Sequence, residues 1–501
     1  MRSAPTLRLG VALGALLGGC AVGPDWHRPT LATPVSFAPG SPGVAASVAP
    51  DWWDIFNDPE LSALERRVAA SNLDVRVASS RLAQSRAERR MVTADRLPSA
   101  DAQASYARER ASPNGILGLL GTTQPSSAST VADGTGFGPA SLPGASGSPP
   151  FDLWQYGFDM SWELDLWGRV RREVEASNAA LEESADTRRD VLVTVLAETA
   201  RDYVQLRSVQ AQLAITRQNL DVATHSLDLT HTRFANGVTT QLDVSNATAQ
   251  QASIRARLPE LEAQQAHLVN ALGYMEGQPP RALEAELIRP APIPLLPAQV
   301  PVGLPSELAE RRPDIRAAEA RLHEATAQIG VAVADFYPRV TLSGSLDIQA
   351  LQASGLGTWA SRQYGLGPTI SLPLFEGGRL RGELQLRRGQ QSEAAIDYQR
   401  TVLKAWDEVD DAMTDYQAAQ TRRDRLNEAV TQNRRALGIA QLQYAQGVTD
   451  FLNVLTVQNL LLEAQGALVQ SEADGAIALA GIYKALGGGW QNTYPTARSA
   501  T

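Results

Sequence analysis

From Arg169 to Arg233 the chain runs for 65 residues without a Pro or a Gly. At 1.5 Å per residue, an unbroken helix over that stretch is about 100 Å long. Leu206, Leu213, Leu220 and Leu227 recur every seven residues along it. A second stretch carries Val402, Val409, Tyr416, Val430, Leu437 and Tyr444 on one heptad phase, broken at Arg423. Heptads held over this length demand packing against neighbouring helices. Such helices exceed what an ordinary globular domain holds.

The two stretches belong to a duplication. RFANGVTTQLDVSN (233–246) and QYAQGVTDFLNVLT (443–456) match at an offset of 210. YGFDMSWELDLWGRVRRE (156–173) matches YGLGPTISLPLFEGGRLRGE (364–383) at an offset of 208 that becomes 210. Each unit therefore reads strand, loop, strand, very long helix, tight turn, helix. Gly237 and Gly447 end the long helices, where glycine takes the left-handed conformation of a C-terminal cap.

The strands alternate strictly. Tyr156, Phe158, Met160, Trp162, Leu164 and Leu166 oppose Gly157, Asp159, Ser161, Glu163 and Asp165 within 155–167. Val340, Leu342, Leu346 and Ile348 oppose Thr341, Ser343, Ser345 and Asp347 within 337–348. Segments 364–374 and 99–106 repeat the pattern, the latter more weakly. A soluble sheet with one buried face alternates in the same way. Membrane strands of about ten residues do so as well, with lipid on one side and a wet lumen on the other.

The start of the chain decides for the membrane. Arg2 and Arg8 precede an apolar run, Leu9 to Gly19, too short to span a bilayer but suited to a secretory signal over 1–19. It ends in Leu17-Gly18-Gly19-Cys20, which resembles a bacterial lipobox, so Cys20, the only cysteine, is the expected site of covalent lipid. Ala21 then directs the chain to the outer membrane, by resemblance to lipoproteins that carry Asp there when retained. Four strands cannot close a membrane barrel, and an open edge in lipid leaves backbone groups unpaired. An oligomer is required.

The expected layout follows: lipid anchor and linker over 20–50, a first repeat over 51–281 with its hairpin at about 97–167, and a Pro-rich linker over 282–306. The second repeat covers 307–490, with its hairpin at about 337–374, and a tail covers 491–501. The Gly, Ser and Pro-rich segment 111–150 has the composition of an extracellular loop. With 45 Lys+Arg against 54 Asp+Glu the net charge is −9, so no nucleic acid partner is expected.

Enzyme motifs are absent. No Gly-x-Ser-x-Gly elbow, phosphate loop or HExxH occurs, and His225 and His231 lie six apart, poor spacing for one helix face. Asp159, Glu163, Asp165 and Asp347 are expected to line a solvated lumen and to favour cations, because charge on a lipid face is costly.

The strings LGGCAVGPDW, WWDIFNDPELSAL, SWELDLWGRVRR, RFANGVTTQLDV, ERRPDIRAAEARL, IGVAVADFYPRVTLSGS, LPLFEGGR and YKALGGGW occur in order along nearly the whole chain. Together they resemble the TolC-like outer membrane factors, in the lipoprotein branch serving resistance-nodulation-division (RND) efflux pumps. The resemblance implies an α+β membrane protein: a homotrimeric β-barrel, four strands per subunit, continuing into a periplasmic α-helical barrel. It implies a periplasmic adaptor and an inner membrane RND transporter as partners, outer membrane lipid around the barrel, and no cofactor beyond the lipid on Cys20. The tips Gly237, Val238 and Thr239, and Gly447, Val448 and Thr449, sit where the family meets its adaptor. The family's aperture, often acidic, corresponds to Leu452, Asn453, Thr456 and Asn459, none of them charged, with Asp243 at the first-unit equivalent of Asn453. Closure by Leu452 and helix packing, with at most one ring of Asp243 carboxylates, is the expectation. A type I protein secretion duct shares this architecture, and an anchored coiled coil without a pore is the third reading.

Overall fold

The structure is a computed structural model, and it describes residues 21–30, 43–44, 49–110, 150–297, 300–301 and 308–495. Cys20, the signal segment and most of the 111–150 loop lie outside them. Two repeats of one architecture supply the long helices and the four-stranded sheet. Helix α1 (Pro59–Ser71) leads to α2 (Leu73–Ala94), strands β1 (Ser99–Glu109) and β2 (Phe151–Leu164), and helices α3 (Arg169–Ala235) and α4 (Gln241–Met275). The second repeat places α5 (Pro313–Ala334), β3 (Arg339–Ala350), β4 (Arg362–Ser371), α6 (Arg379–Ala445) and α7 (Phe451–Ala485) in the same order.

The duplication is carried through in the backbone. α3 and α6 are each 67 residues long, α4 and α7 each 35, and all four boundaries are displaced by 210. α2 and α5 are each 22 residues long and are displaced by 240. All four long helices end alike. Val238 N–H donates to Arg233 O and Gly237 N–H to Phe234 O, both at 2.9 Å, the paired bonds of a Schellman cap. Val448 and Gly447, Gln278 and Gly277, and Gly488 and Gly487 repeat the pair. Gly237 at φ +71° and Gly447 at φ +77° occupy the left-handed region that a Cβ disfavours.

The chain forms two compact units. One holds the sheet, with residues 88–177 and 325–389 and the segment leading to Trp26. Its sheet is antiparallel in the order β1-β2-β3-β4. β2 ends at Leu164, so Asp165, Leu166 and Trp167, expected on the strand, belong to the connection into α3. Segment 21–26 is fastened here: Val22 N–H donates to Trp167 O at 3.0 Å, and Asp25 pairs with Arg172 at 2.6 Å.

The other unit is helical. Asp58 caps α1 by accepting from Glu60 N–H and Leu61 N–H at 3.0 and 3.1 Å, with Pro59 at the position that needs no N–H. Trp52 stacks on Tyr483 at 5.4 Å between ring centres and is fully buried. Every member of the α6 heptad phase, Val402, Val409, Tyr416, Val430, Leu437 and Tyr444, is buried. Among the described residues no helix is long and apolar enough to cross a membrane.

Candidate functional site

Strand pairing sorts the sheet into two chemistries. The register sets Asp101 opposite Asp159, Asp159 opposite Ser345, Gly157 opposite Asp347, and Ser343 opposite Gly367. Side chains alternate across a strand, so these share one face with Gln103, Ser105, Gln155, Ser161, Thr341 and Thr369. Facing the other way are Ala102, Tyr106, Tyr156, Phe158, Met160, Leu342, Leu346, Tyr364, Leu366 and Ile370. Among the described residues nothing covers this apolar face. Leu366 is 75% exposed, Ile370 68% and Phe158 61%. Contiguous apolar surface of this kind mates with lipid or protein, not water.

Aromatic residues mark both ends of that face. Tyr106 packs on Trp154 at 4.4 Å between centroids near the long loop. Trp167 stacks on Tyr337 at 4.9 Å at the opposite end and donates to Pro338 O, while Trp162 donates to Arg96 O at 3.0 Å. Girdles at both interfaces characterise outer membrane barrels.

The four carboxylates expected in a lumen have different surroundings. Asp159 is on the polar face and accepts from Gln103 Nε2 at 2.5 Å. Glu163 is also on that face but accepts two bonds of 2.9 Å from Arg169, which neutralises it locally. Asp165 is a correction: it lies past the strand and caps α3, accepting from Val170 N–H and Arg171 N–H at 3.1 and 2.9 Å. Asp347 is only 8% exposed. Its side chain folds over Gly157, where an added Cβ would meet Oδ1 at 2.0 Å.

At the helix tips the two repeats use homologous positions differently. Thr239 donates to Asp243 Oδ2 at 2.5 Å, and Thr240 closes a capping box with Asp243. Burial works to raise the Asp243 carboxyl, but the bonds from Thr239 and Thr240 prevail and hold it below the usual carboxylate range. In the second repeat Asn453 Nδ2 donates to Thr449 Oγ1 at 2.5 Å, and Asp450 makes no side-chain cap. Leu452 is 61% exposed, with Asn453 and Thr456 also exposed beside it. Thr456 donates back to Leu452 O at 2.8 Å. Asn459 is half-buried and turned elsewhere, accepting from Gln250 at 2.6 Å across α4 and α7.

Sequence reasoning missed Arg233. Its guanidinium donates to Tyr444 O at 2.8 Å and Ala445 O at 3.1 Å, and lies 4.7 Å from the centre of the Tyr444 ring. It thus joins the end of α3 to that of α6. The signal available was a cation in the last turn of α3, next to the tip glycine, where the second repeat has the uncharged Gln443.

Known proteins share this fold. The family model for "Outer membrane efflux protein" matches residues 64–278 and 304–488, one segment per repeat. The pyoverdine export outer membrane protein OpmQ of Pseudomonas aeruginosa is 32% identical over 478 residues, 95% of each chain. The toluene efflux pump outer membrane protein TtgC of Pseudomonas putida is 31% identical over 488 residues, 95% of this chain and 94% of that one. The solved outer-membrane channel OprN superposes with a TM-score of 0.84 at 33% identity, covering 94% of this chain and 100% of that chain. Matched across both repeats and nearly end to end, this chain belongs to the outer membrane efflux protein family.

Proposed function

We propose that the chain is one of three identical subunits of the outer membrane exit duct of a tripartite RND-type efflux pump. The uncovered apolar face, banded by aromatics and backed by a polar face, is the single observation that carries this reading. Four strands are too few to enclose a lumen, and three copies supply twelve, within the range of closed barrels. Lipid on Cys20 anchors the mature chain, and the helices extend the duct into the periplasm. The tips at Gly237–Thr239 and Gly447–Thr449 meet a periplasmic adaptor, which links the duct to an inner membrane transporter. Transport through it is passive and needs no cofactor. Small organic molecules are the cargo class, in keeping with relatives named for pyoverdine export and toluene efflux.

The aperture closes by packing. Leu452 presents an exposed apolar side chain, and Asn453 and Thr456 add no charge. Asp243 contributes at most one carboxylate ring and serves first as a cap.

Expression in an efflux strain lacking its own duct, with the cognate pump and adaptor genes, tests the reading. Restored extrusion of a fluorescent substrate is the expected result. Unchanged accumulation, with the protein folded in the outer membrane, contradicts it.

A further inference from the structure

The polar face of the sheet holds carboxylates that no nearby cation offsets. Asp101 stands directly opposite Asp159, which sets their Cβ atoms about 5 Å apart. Like charges in that position destabilise a sheet. Asp347, two residues beyond Ser345, is diagonal to Asp159 at about 7–8 Å. Among the described strand residues on this face the one cation is Arg339, which is engaged by Asp335 at 3.2 Å and Glu163 at 3.8 Å. It stands six residues before Ser345, about 20 Å along β3 from the Asp159 row. At physiological ionic strength charges so far apart are screened, the Debye length being about 8 Å.

One of the three carboxylates also has an orphaned oxygen. Asp347 is buried, and its Oδ1 has no hydrogen-bond partner. The carboxylate leans across Gly157 onto β2, two residues from Asp159, where the missing side chain makes room for it. Gln103, opposite Gly157 on β1, donates its amide to Asp159 Oδ2 instead. A buried acceptor left without a donor costs free energy, so this oxygen calls for one from outside the chain. Beside it Ser161, Ser343, Ser345 and Thr369 share with Asp101 and Asp159 a recess of about 490 Å³. Gly365 and Gly367 keep it open on β4, and a Cβ added to Gly367 would meet nothing within 4 Å. That volume suits a small organic molecule.

Among the described residues no three acidic, imidazole or thiol side chains converge as ligands of a metal ion. The carboxylates are instead separate points of charge along a diagonal of the sheet. An aliphatic polyamine, whose ammonium groups are spaced by short methylene chains, offers separate charged donors in the same manner. We propose that Asp101, Asp159 and Asp347 form a binding site for a linear aliphatic polyamine. One ammonium donates to Asp347 Oδ1 as the Gln103 amide swings aside, and the next sits between Asp159 and Asp101. The serine and threonine hydroxyls accept the remaining N–H groups. This rests on the duct reading above, in which the polar face lines the lumen, and a polyamine bound there obstructs the passage of other cations.

Single-channel recording of the full-length protein, with spermidine added, tests the site. Millimolar spermidine should block the open-channel current, and Mg²⁺ at the same concentration should not. Asp159→Asn and Asp347→Asn should each raise the half-blocking concentration about tenfold, through loss of a charge-assisted contact. Glu109→Gln, at the loop end of the same face, should leave it unchanged. Should Asp347→Asn fail to fold, Asp101→Asn on the exposed strand β1 carries the same test. Channels that conduct without block, that Mg²⁺ blocks equally, or that the Asp→Asn variants leave equally sensitive overturn the site and leave the duct standing. A protein that forms no channel overturns the duct. Calorimetric titration of that same preparation with spermidine, on the same variants, then decides the site.

Discussion

Arg233 at the end of α3 donates to the Tyr444 carbonyl at the end of α6, at 2.8 Å. The last carbonyls of a helix carry partial negative charge, so the guanidinium adds to the 3.0 Å bond that Tyr444 O already accepts from Gly447 N–H and also reaches Ala445 O. The contact joins the two repeats at their tips. Arg233→Ala should weaken this junction by about 1.5–3 kcal/mol, the range for hydrogen bonds to charged groups. Faster hydrogen exchange at residues 233–240 and 443–450 is the expected observation. Unchanged exchange would mean the clasp holds nothing in place.

Asp243 offers a test of cap against gate. Asp243→Ala should cost about 1 kcal/mol through the lost capping box. Its folded-state pKa is depressed, so its stabilisation is present above the unfolded value near 4 and is lost as the pH falls through the folded one. A melting-temperature series at pH 7, 4 and 3 should show the variant and parent converging in acid. Single-channel conductance of Asp243→Ala equal to that of the parent removes any gating role.

Asp190 works in the opposite direction. Burial, with Asp314 nearby, pushes its carboxyl up to about 6 despite the opposing Arg312 and Lys484. A raised carboxylate pKa means that folding is favoured below the unfolded value and loses that contribution as the pH rises from about 4 to about 6. The shift corresponds to roughly 3 kcal/mol. Asp190→Asn should flatten the stability profile across that window and melt higher than the parent at pH 7. A variant that melts lower at pH 7 would show that the ionised carboxylate is stabilising.

The tip glycines are conformational requirements, not packing ones. An alanine Cβ at Gly237 meets nothing within 4 Å, and at Gly447 only Arg233 Nη2 at 3.7 Å. Gly237→Ala and Gly447→Ala should therefore each cost about 1–2 kcal/mol from left-handed strain alone. Thermal melts check the cost, and equal losses at both sites are expected from their matching φ values.

The two faces of the sheet should respond oppositely to charge. Leu366→Arg on the apolar face should destabilise insertion by about 2–4 kcal/mol if it lies near the bilayer centre. Thr369→Arg on the polar face should fold and lower cation conductance. Folding yield in liposomes measures the first and current–voltage curves the second.

Much of this was legible in the sequence because one-dimensional signals set it. The heptad phase through Val402 and Tyr444 identified buried positions, since helical packing repeats along the chain. Gly237 and Gly447 marked the tips because only a residue without Cβ rests easily at positive φ. Alternation placed Asp159 and Phe158 on opposite faces, since register carries the pattern across strands. What depends on where a strand stops was harder. Asp165 continues the alternation yet caps α3, because a carboxylate just before a helix serves its free N–H groups. The Arg233 clasp and the fold of Asp347 over Gly157 were hidden because they join segments about two hundred residues apart.

A trimeric duct conducts ions, and an anchored coiled coil does not. Single-channel recording of the purified protein in planar bilayers, with its native mass measured alongside, tests it most directly. A three-subunit particle that is mostly closed and passes cations when open is the expected result. A water-soluble monomer that produces no conductance would contradict it and would leave an anchored coiled coil in its place.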